Sequence, residues 1–477
     1  MAWDTVIGLE VHAQLKTKSK LFSGAATTFG AKPNSQTSLI DAGLPGVLPV
    51  LNQQAVAMAI QFGMAIQAEI NNHSYFERKN YFYPDLPKGY QISQYQRPIV
   101  SNGYLTIVTP DGNEKKVTIA RAHLEEDAGK SLHDRHSNYT AIDLNRAGTP
   151  LLEIVTAPCL FSVMEAINYL KTLHLLVRFL GICDGNMQEG SFRCDVNISL
   201  KPQGSTTLGT RTELKNLNSF RFIEKAIAYE QARHQDLLEN GQPIQQETRL
   251  YCPATDTTQV LRVKENENDY RYFPDPDLLP IVINRQDLEK IRQSMPTLPD
   301  QIKKTLKENK TLHEEDIHFL LSSPETYPFF HELKQISQVD EKIIVNWLRG
   351  PYTAFLNEAN LDFTNPPVSA AALAPLLQQL ANQTVSNKIA KQIFAKLWAG
   401  EGNVDEIMQK EGYTQLDDDQ LLEDIVRNII NQYPQQTADY RAGKEKLLAF
   451  FVGQVMKQTQ GRADPEQANR ILRDYLN

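Results

Sequence analysis

Cysteine is scarce in this chain, and where it stands excludes two architectures. The four cysteines, Cys159, Cys183, Cys194 and Cys252, form no CxxC pair. A disulfide scaffold and a four-thiolate zinc site both need closer or paired spacing. Long hydrophobic runs are missing too. No apolar stretch reaches the roughly 18 residues a membrane span needs. The opening "MAWDTVIGLEV" lacks the basic region and apolar block of a signal peptide, so a soluble cytoplasmic protein is expected. An excess of positive charge is also absent: the formal net charge is −8, which excludes a generally sticky nucleic-acid binder but leaves room for a local basic surface. Phosphate loops of the GxxxxGK[ST] or GxGxxG type do not occur. Neither does a Cys–His pair or Ser–Ser–Lys arrangement for amide hydrolysis, nor any repeat or low-complexity tract.

What is present is globular. Hydrophobic residues make up 41% and charged residues 22% of 477 positions, so two to four domains are expected. Residues 1–292 alternate strand-like stretches (6–15, 104–109, 117–125, 151–156, 194–200, 209–215) with helical patterns at 52–68, 162–181 and 219–240. After "MPTLP" (295–299) the periodicity is helical throughout, giving a segment 293–408 and a tail 409–477. The fold class is therefore α+β. Residues 401–424 hold nine acids and one lysine, while the stretch from Arg441 holds seven Lys/Arg against four Asp/Glu, a net of +3.

The strands carry the chemistry. In "IGLEVHAQL" (7–15), Ile7, Leu9, Val11, Ala13 and Leu15 alternate with Glu10, His12 and Gln14. Successive side chains of an extended strand point to opposite faces, so one face is greasy and the other holds a carboxylate and an imidazole. The same holds for Arg121, His123 and Glu125 opposite Ala120, Ala122 and Leu124. Asp195, Asn197 and Ser199 share a face, as do Arg211, Glu213 and Lys215. Glu153 lies in "LLEIV", an otherwise apolar strand where an unpaired carboxylate is costly. A plain wet sheet explains any one of these strands. Together they are rich in Glu, Asp, His and Asn, which ligate cations. If the strands pair, their carboxylates crowd, and a divalent cation relieves the repulsion. Hard oxygen ligands with few thiols favour Mg²⁺, which commonly serves phosphates. The residues alone reach an enzyme with a carboxylate-lined, Mg²⁺-dependent site. They leave open a free-standing phosphohydrolase or kinase, and an RNA-binding scaffold with a structural acidic face.

Longer motifs go further. "IGLEVHAQLKTKSKLF" (7–22), "GLPGVLPVLN" (43–52), "RKNYFYPDLPKGYQISQY" (78–95), "HLEEDAGKS" (123–131), "LNRAGTPLLEIVT" (144–156), "EGSFRCDVNIS" (189–199), "GTRTELKNLNSF" (209–220), "DYRYFPDPDLLP" (269–280) and the tail from 443 to 472 resemble the B subunits of glutamine-dependent aspartyl/glutamyl-tRNA amidotransferases over essentially the whole chain. The resemblance implies a cradle-like catalytic domain, a helical domain and a YqeY-like tail. It implies ATP and Mg²⁺ as cofactors, and A (glutaminase) and C subunits as partners in a heterotrimer acting on misacylated tRNA. Carried over by position, Glu10, His12, Glu125, Glu153 and Glu213 hold Mg²⁺ directly or through water, and Asp195 serves a second, nucleotide-dependent ion. Lys79 and Arg211 meet phosphate or substrate carboxylate. Lys444, Lys446, Lys457, Arg462, Arg470 and Arg473 face the tRNA body. Tyr81, Phe82 and Tyr83 read as packing residues. Many members carry cysteine pairs near 23–25 and 38–41 that resemble a zinc site. Here Ser23, Ala25, Ser38 and Asp41 stand instead, so no structural zinc is expected, and packing around "GLPGVLP" is expected to hold that loop.

Overall fold

The computed structural model describes residues 2–133, 138–263, 270–308, 310–413, 419–459, 463 and 465–476. Two compact units divide the chain, Met1–Gln301 and Ile302–Asn477, and the architecture is α+β. Leu288, Ile291, Met295 and Leu298 pack against the core of the first unit.

The first unit is built on a nine-stranded sheet. Its strands in chain order are β1 (Trp3–Gln14), β2 (Glu69–Ile70), β3 (Val100–Val108), β4 (Glu114–Glu126), β5 (Pro150–Thr156), β6 (Phe192–Pro202), β7 (Thr212–Lys215), β8 (Glu247–Cys252) and β9 (Thr257–Val263). In space they run β9-β8-β7-β6-β1-β5-β4-β3-β2. Every pairing is antiparallel except β7–β8. The first strand thus lies between β6 and β5, far from it in sequence and next to it in space.

One face is dry. Ile7, Leu9, Val11 and Ala13 are at most 1% exposed, and three helices contribute to the same core: α1 (Gln53–Ala65), α2 (Val163–Phe179) and α3 (Phe220–Glu239). Each begins at a side-chain cap that takes up an otherwise orphaned amide. Asn52 accepts from the Gln54 amide at 2.9 Å, Ser162 from Glu165 at 3.1 Å and Ser219 from Phe222 at 3.1 Å. Alternation in β4 is not continuous. Val117 and Ile119 are buried before a bulge, Ala122 and Leu124 after it, and Ala120 faces outward. The extra residue is what a β-bulge inserts, and it breaks the strict period read for 117–125.

A smaller sheet joins Glu77–Asn80 to Tyr90–Ser93 and Phe273–Pro274. It is tied to the end of β4, where the Ile92 amide donates to Glu126 at 2.8 Å and Ser93 Oγ to Glu125 at 3.3 Å.

In the second unit no strand occurs among the described residues. Tyr352 stacks on Phe363 with centroids 5.4 Å apart, next to Phe394 and Trp398. The tail has its own core of Leu422, Val426, Ile429, Phe451, Val455, Ile471 and Leu472. Among the described residues no helix is long and apolar enough to cross a membrane.

Candidate active site

The face of the central sheet opposite the helices collects the polar residues by register. His12 lies opposite Arg193 on β6 and Glu153 on β5, and Glu153 lies opposite His123 on β4. Four side chains on adjacent strands therefore form one row. Asp195 and Glu10 are partners in the neighbouring row, and Glu125 lies two residues along β4 from His123.

The contacts are close. His12 Nε2 lies 3.4 Å from Glu153 Oε2 and 3.7 Å from Glu125 Oε1. His123 Nε2 lies 3.5 Å from Glu153 Oε2 and 3.9 Å from Glu125 Oε2. Two groups could each surround one cation, His12–Glu125–Glu153 and Glu10–Asp195–Glu213, with one donor atom per residue all within 4.8 Å of one another. This sorting differs from the one the resemblance implies. Glu10 and Glu213 side with Asp195, and only His12, Glu125 and Glu153 form the other set.

Electrostatics shows that the face is under tension. Burial pushes the Glu10 carboxyl above its ordinary range, and the charges of Glu153, Asp195 and Glu213 add to that. Burial and then Glu153 do the same to Glu125. For Glu153 burial again favours the neutral form, but His123 and His12 outweigh it and hold the group well below 4.5. Burial opposes a charge on His12. The hydrogen bond to Glu153 and the charges of Glu153 and Glu125 win, raising it to about 9. Two like charges 4 Å apart repel by about 4 kcal/mol at an effective dielectric of 20. The residues fit a hard divalent cation: five carboxylates, one imidazole and no thiol in the two groups. His12 is the atypical donor.

Comparison with known proteins settles the family. Residues 5–289 match the model of the GatB/GatE catalytic domain, and residues 328–476 match the model of the GatB domain. A Legionella pneumophila (strain Lens) protein, named as the B subunit of an aspartyl/glutamyl-tRNA(Asn/Gln) amidotransferase, is 67% identical to this chain over 476 residues, covering 100% of both chains. Proteins of the same name from Nitrosococcus oceani and Coxiella burnetii (strain CbuG_Q212) are each 52% identical over 477 residues, again covering 100% of both. The chain belongs to the GatB family.

The other expected residues fall around this face. Lys79, on the small sheet, feels Glu125 and Glu153. Burial opposes its charge, but those carboxylates raise its pKa. It lines a cavity of about 720 Å³ with Tyr81, Tyr83, Tyr270 and Arg271, and its Nζ lies 4.9 Å from the Tyr270 ring centroid. The expectation of packing fails for Phe82, 79% exposed, and Tyr83, 55% exposed, whereas Tyr81 packs edge-to-face against Tyr83 and Tyr270 at the cavity wall. Arg211 is exposed. With Glu10, Asn197, Gly209 and Gln246 it lines a second cavity, of about 460 Å³, over Gly8.

The loop in place of the cysteine pairs is also held differently from expectation. Leu44, Leu48 and Val50 of the "GLPGVLP" region are exposed, so packing does not secure it. Lys20, wholly buried, pairs with Asp41 at 2.9 Å, and Ser23 Oγ donates to the same carboxylate at 3.4 Å. In the tail, Lys444, Lys446, Lys457, Arg470 and Arg473 are exposed, and Lys444 pairs with Asp439 at 3.0 Å. Arg462 lies outside the described residues.

Residues missed in the sequence include His123 as a carboxylate partner and Lys215, which ion-pairs with Asp195. Arg193 was missed too. It pairs with Asp127 at 3.0 Å, and Asp127 also accepts from Gln14 at 3.0 Å. The alternation already put His123 beside Glu125 and Lys215 beside Glu213. The same alternation put Arg193 beside Asp195.

Proposed function

We propose that this chain is the kinase and transamidase subunit of a glutamine-dependent amidotransferase that converts Glu-tRNA(Gln), Asp-tRNA(Asn) or both to the cognate amidated tRNA. The observation that carries the reading is the pair of acid groups on the sheet face opposite the helices, His12–Glu125–Glu153 and Glu10–Asp195–Glu213. The names of relatives at 67% and 52% identity over full length supply the substrate class.

The chemistry runs in two stages. The side-chain carboxylate of the esterified amino acid attacks the γ-phosphorus of ATP, forming an acyl phosphate and releasing ADP. Ammonia then attacks the acyl carbon, and phosphate leaves with the former carboxylate oxygen. The first stage brings two anions together and needs charge neutralisation and in-line placement. Magnesium ions held by the two groups would neutralise phosphate charge. Lys79 faces the cavity beside Glu125 and supports the substrate carboxylate, and Arg211 supports phosphate from the other cavity. The acyl phosphate must be kept from water until ammonia arrives. The sequence holds no amide-hydrolysing arrangement, so ammonia comes from a glutaminase partner, the A subunit, with the C subunit completing a heterotrimer. The exposed cations of the tail suit a phosphate backbone, which they neutralise without reading sequence.

The test combines the full chain with its A and C partners, glutamine, ATP, Mg²⁺ and each misacylated tRNA in turn. Amidation that requires all components, and the chain alone unable to use glutamine, is the expected result. Full activity of Glu10→Ala and Glu153→Ala complexes would overturn the catalytic reading in favour of a scaffold.

A further inference from the structure

The polar face holds one guanidinium that the chain itself leaves unused. Val117 and Ile119 of β4 lie on the dry face, and strict alternation would place Arg121 there too. The bulge prevents it. Val155 on β5 pairs with Arg121 and Thr156 with Ile119, so Ala120 is the extra residue. A bulge re-aims the side chains that follow it. Arg121 therefore joins His123 and Glu125, while Ala122 and Leu124 take the buried positions. The Arg121 side chain is half-buried, and its Nε is buried with no hydrogen-bond partner. Its register neighbours, Val155 on β5 and Ser101 on β3, carry no charge. Other cations of this region are engaged: Arg193 holds Asp127, Lys215 holds Asp195 and Lys88 holds Glu126. Arg121 forms no ion pair among the described residues. A buried donor left unpaired costs stability, so this arrangement suits an anion that comes from outside the chain.

The register says where that anion lies. Arg121, Val155, Glu10 and Asp195 form one row across four strands, and Val155 and Glu10 both line the cavity of about 460 Å³. Neighbouring strands are about 4.8 Å apart, so about 10 Å separates the Arg121 and Glu10 backbones, room for one phosphoryl group with its cation. The first acid group is also close. Burial and then the charges of Glu125 and Glu153 push the Tyr272 phenol up, and Arg121 pulls it the other way.

We propose that Arg121 is a catalytic residue of the kinase step, its guanidinium holding two oxygens of the γ-phosphoryl group during transfer. The proposal rests on the magnesium–ATP reading above. In that step a carboxylate oxygen of the substrate bonds to the γ-phosphorus, the bond to the bridging oxygen breaks, and ADP leaves with no proton moved. Charge is spread over the equatorial oxygens of the transferring group. A planar fork matches two of them at once, which the point charge of an ammonium does not. Arg121 thus acts on the group in transit, whereas Arg211 supports the bound nucleotide and Lys79 the substrate carboxylate.

The experiment measures binding of radiolabelled ADP to the full amidotransferase complex with Mg²⁺ and misacylated tRNA. It is run with and without aluminium fluoride, a mimic of the transferring phosphoryl group. In the wild type the fluoride should tighten ADP binding. In Arg121→Gln, ADP alone should bind as in the wild type, while the tightening falls about 10³-fold, the scale of an arginine on a transferring phosphoryl group. The kcat for amidation should fall by the same factor with the KM for ATP little changed. Arg121→Lys keeps the charge without the fork and should lose about tenfold of the tightening, the scale of one charge-assisted hydrogen bond. Amidation by Arg121→Ala should recover with millimolar guanidinium and not with urea, which has the same shape and no charge. Undiminished tightening in Arg121→Gln, or an equal loss of plain ADP binding, overturns the proposal. If the neutral variants do not fold, Arg121→Lys decides, and wild-type tightening there overturns it. Absence of tightening in the wild type overturns the phosphoryl-transfer reading itself, so the two failures are distinguishable.

Discussion

The two faces of the central sheet are made by the same strands and obey opposite rules. On the helix-covered face Cys194, Val11, Ile154 and Ala122 form one row across four strands, and burial favours every member. One residue along the chain, Arg193, His12, Glu153 and His123 form the next row, where carboxylates and imidazoles are held close against the cost of burial. The first face stabilises the fold that keeps the second assembled. Substitutions on the two faces should therefore separate stability from activity.

The largest separation is expected at Glu10. Glu10→Gln keeps an oxygen for Asn197 and removes one crowded charge. Amidation should fall about 10³-fold, the scale of losing one preorganised electrostatic partner. Metal-free thermal stability should hold or rise, because the folded state raises this carboxyl's pKa. A coincident loss of stability would show that the acid face is structural. Leu9→Ala on the opposite face should cost about 3–5 kcal/mol in urea unfolding, with turnover per folded molecule unchanged. Lys20→Met isolates a buried Asp41 and should cost about 3 kcal/mol. The parent protein should carry no stoichiometric zinc by elemental analysis, and finding it would contradict the ion-pair account of that loop.

A pH titration sharpens the same comparison. His12 is raised from 6.5 to about 9 in the folded chain. Its contribution is thus fully present below pH 6.5 and is lost as pH rises through about 9. Glu10 and Glu125, also raised, lose theirs as pH climbs past their unfolded value of 4.5. Glu153 is depressed and acts oppositely, present above 4.5 and lost in acid. In EDTA the melting temperature should fall between pH 6.5 and 9, and saturating Mg²⁺ should flatten that fall. The smallest effects belong to the tail. Lys457→Ala or Arg470→Ala should each weaken tRNA binding for every sequence alike and reduce its salt slope by about 1.

How much of this was legible in the sequence follows from periodicity. The two faces were readable in β1, because Ile7 through Leu15 alternate without interruption, and α1, α2 and α3 begin and end within a turn of their patterns. Members of both acid groups were readable as types. Their sorting was not. It depends on Glu10 facing Asp195, a register set by pairing across 185 positions (195 − 10) that no local period records. The bulge in β4 was invisible for a related reason, since it is defined only by the pairing with β5. The fate of "GLPGVLP" was misjudged because an apolar loop reads as buried until burial is known, while the pair that holds it, Lys20 and Asp41, looks like surface charge in a string of letters.

The most direct measurement follows an oxygen atom. Glu-tRNA(Gln) labelled with ¹⁸O in the side-chain carboxylate is amidated by the complex with glutamine, ATP and Mg²⁺, and the released phosphate is analysed by mass spectrometry. Phosphorylation of that carboxylate predicts one ¹⁸O in phosphate for each amide formed. Phosphate free of the label, with amide still produced, would contradict it.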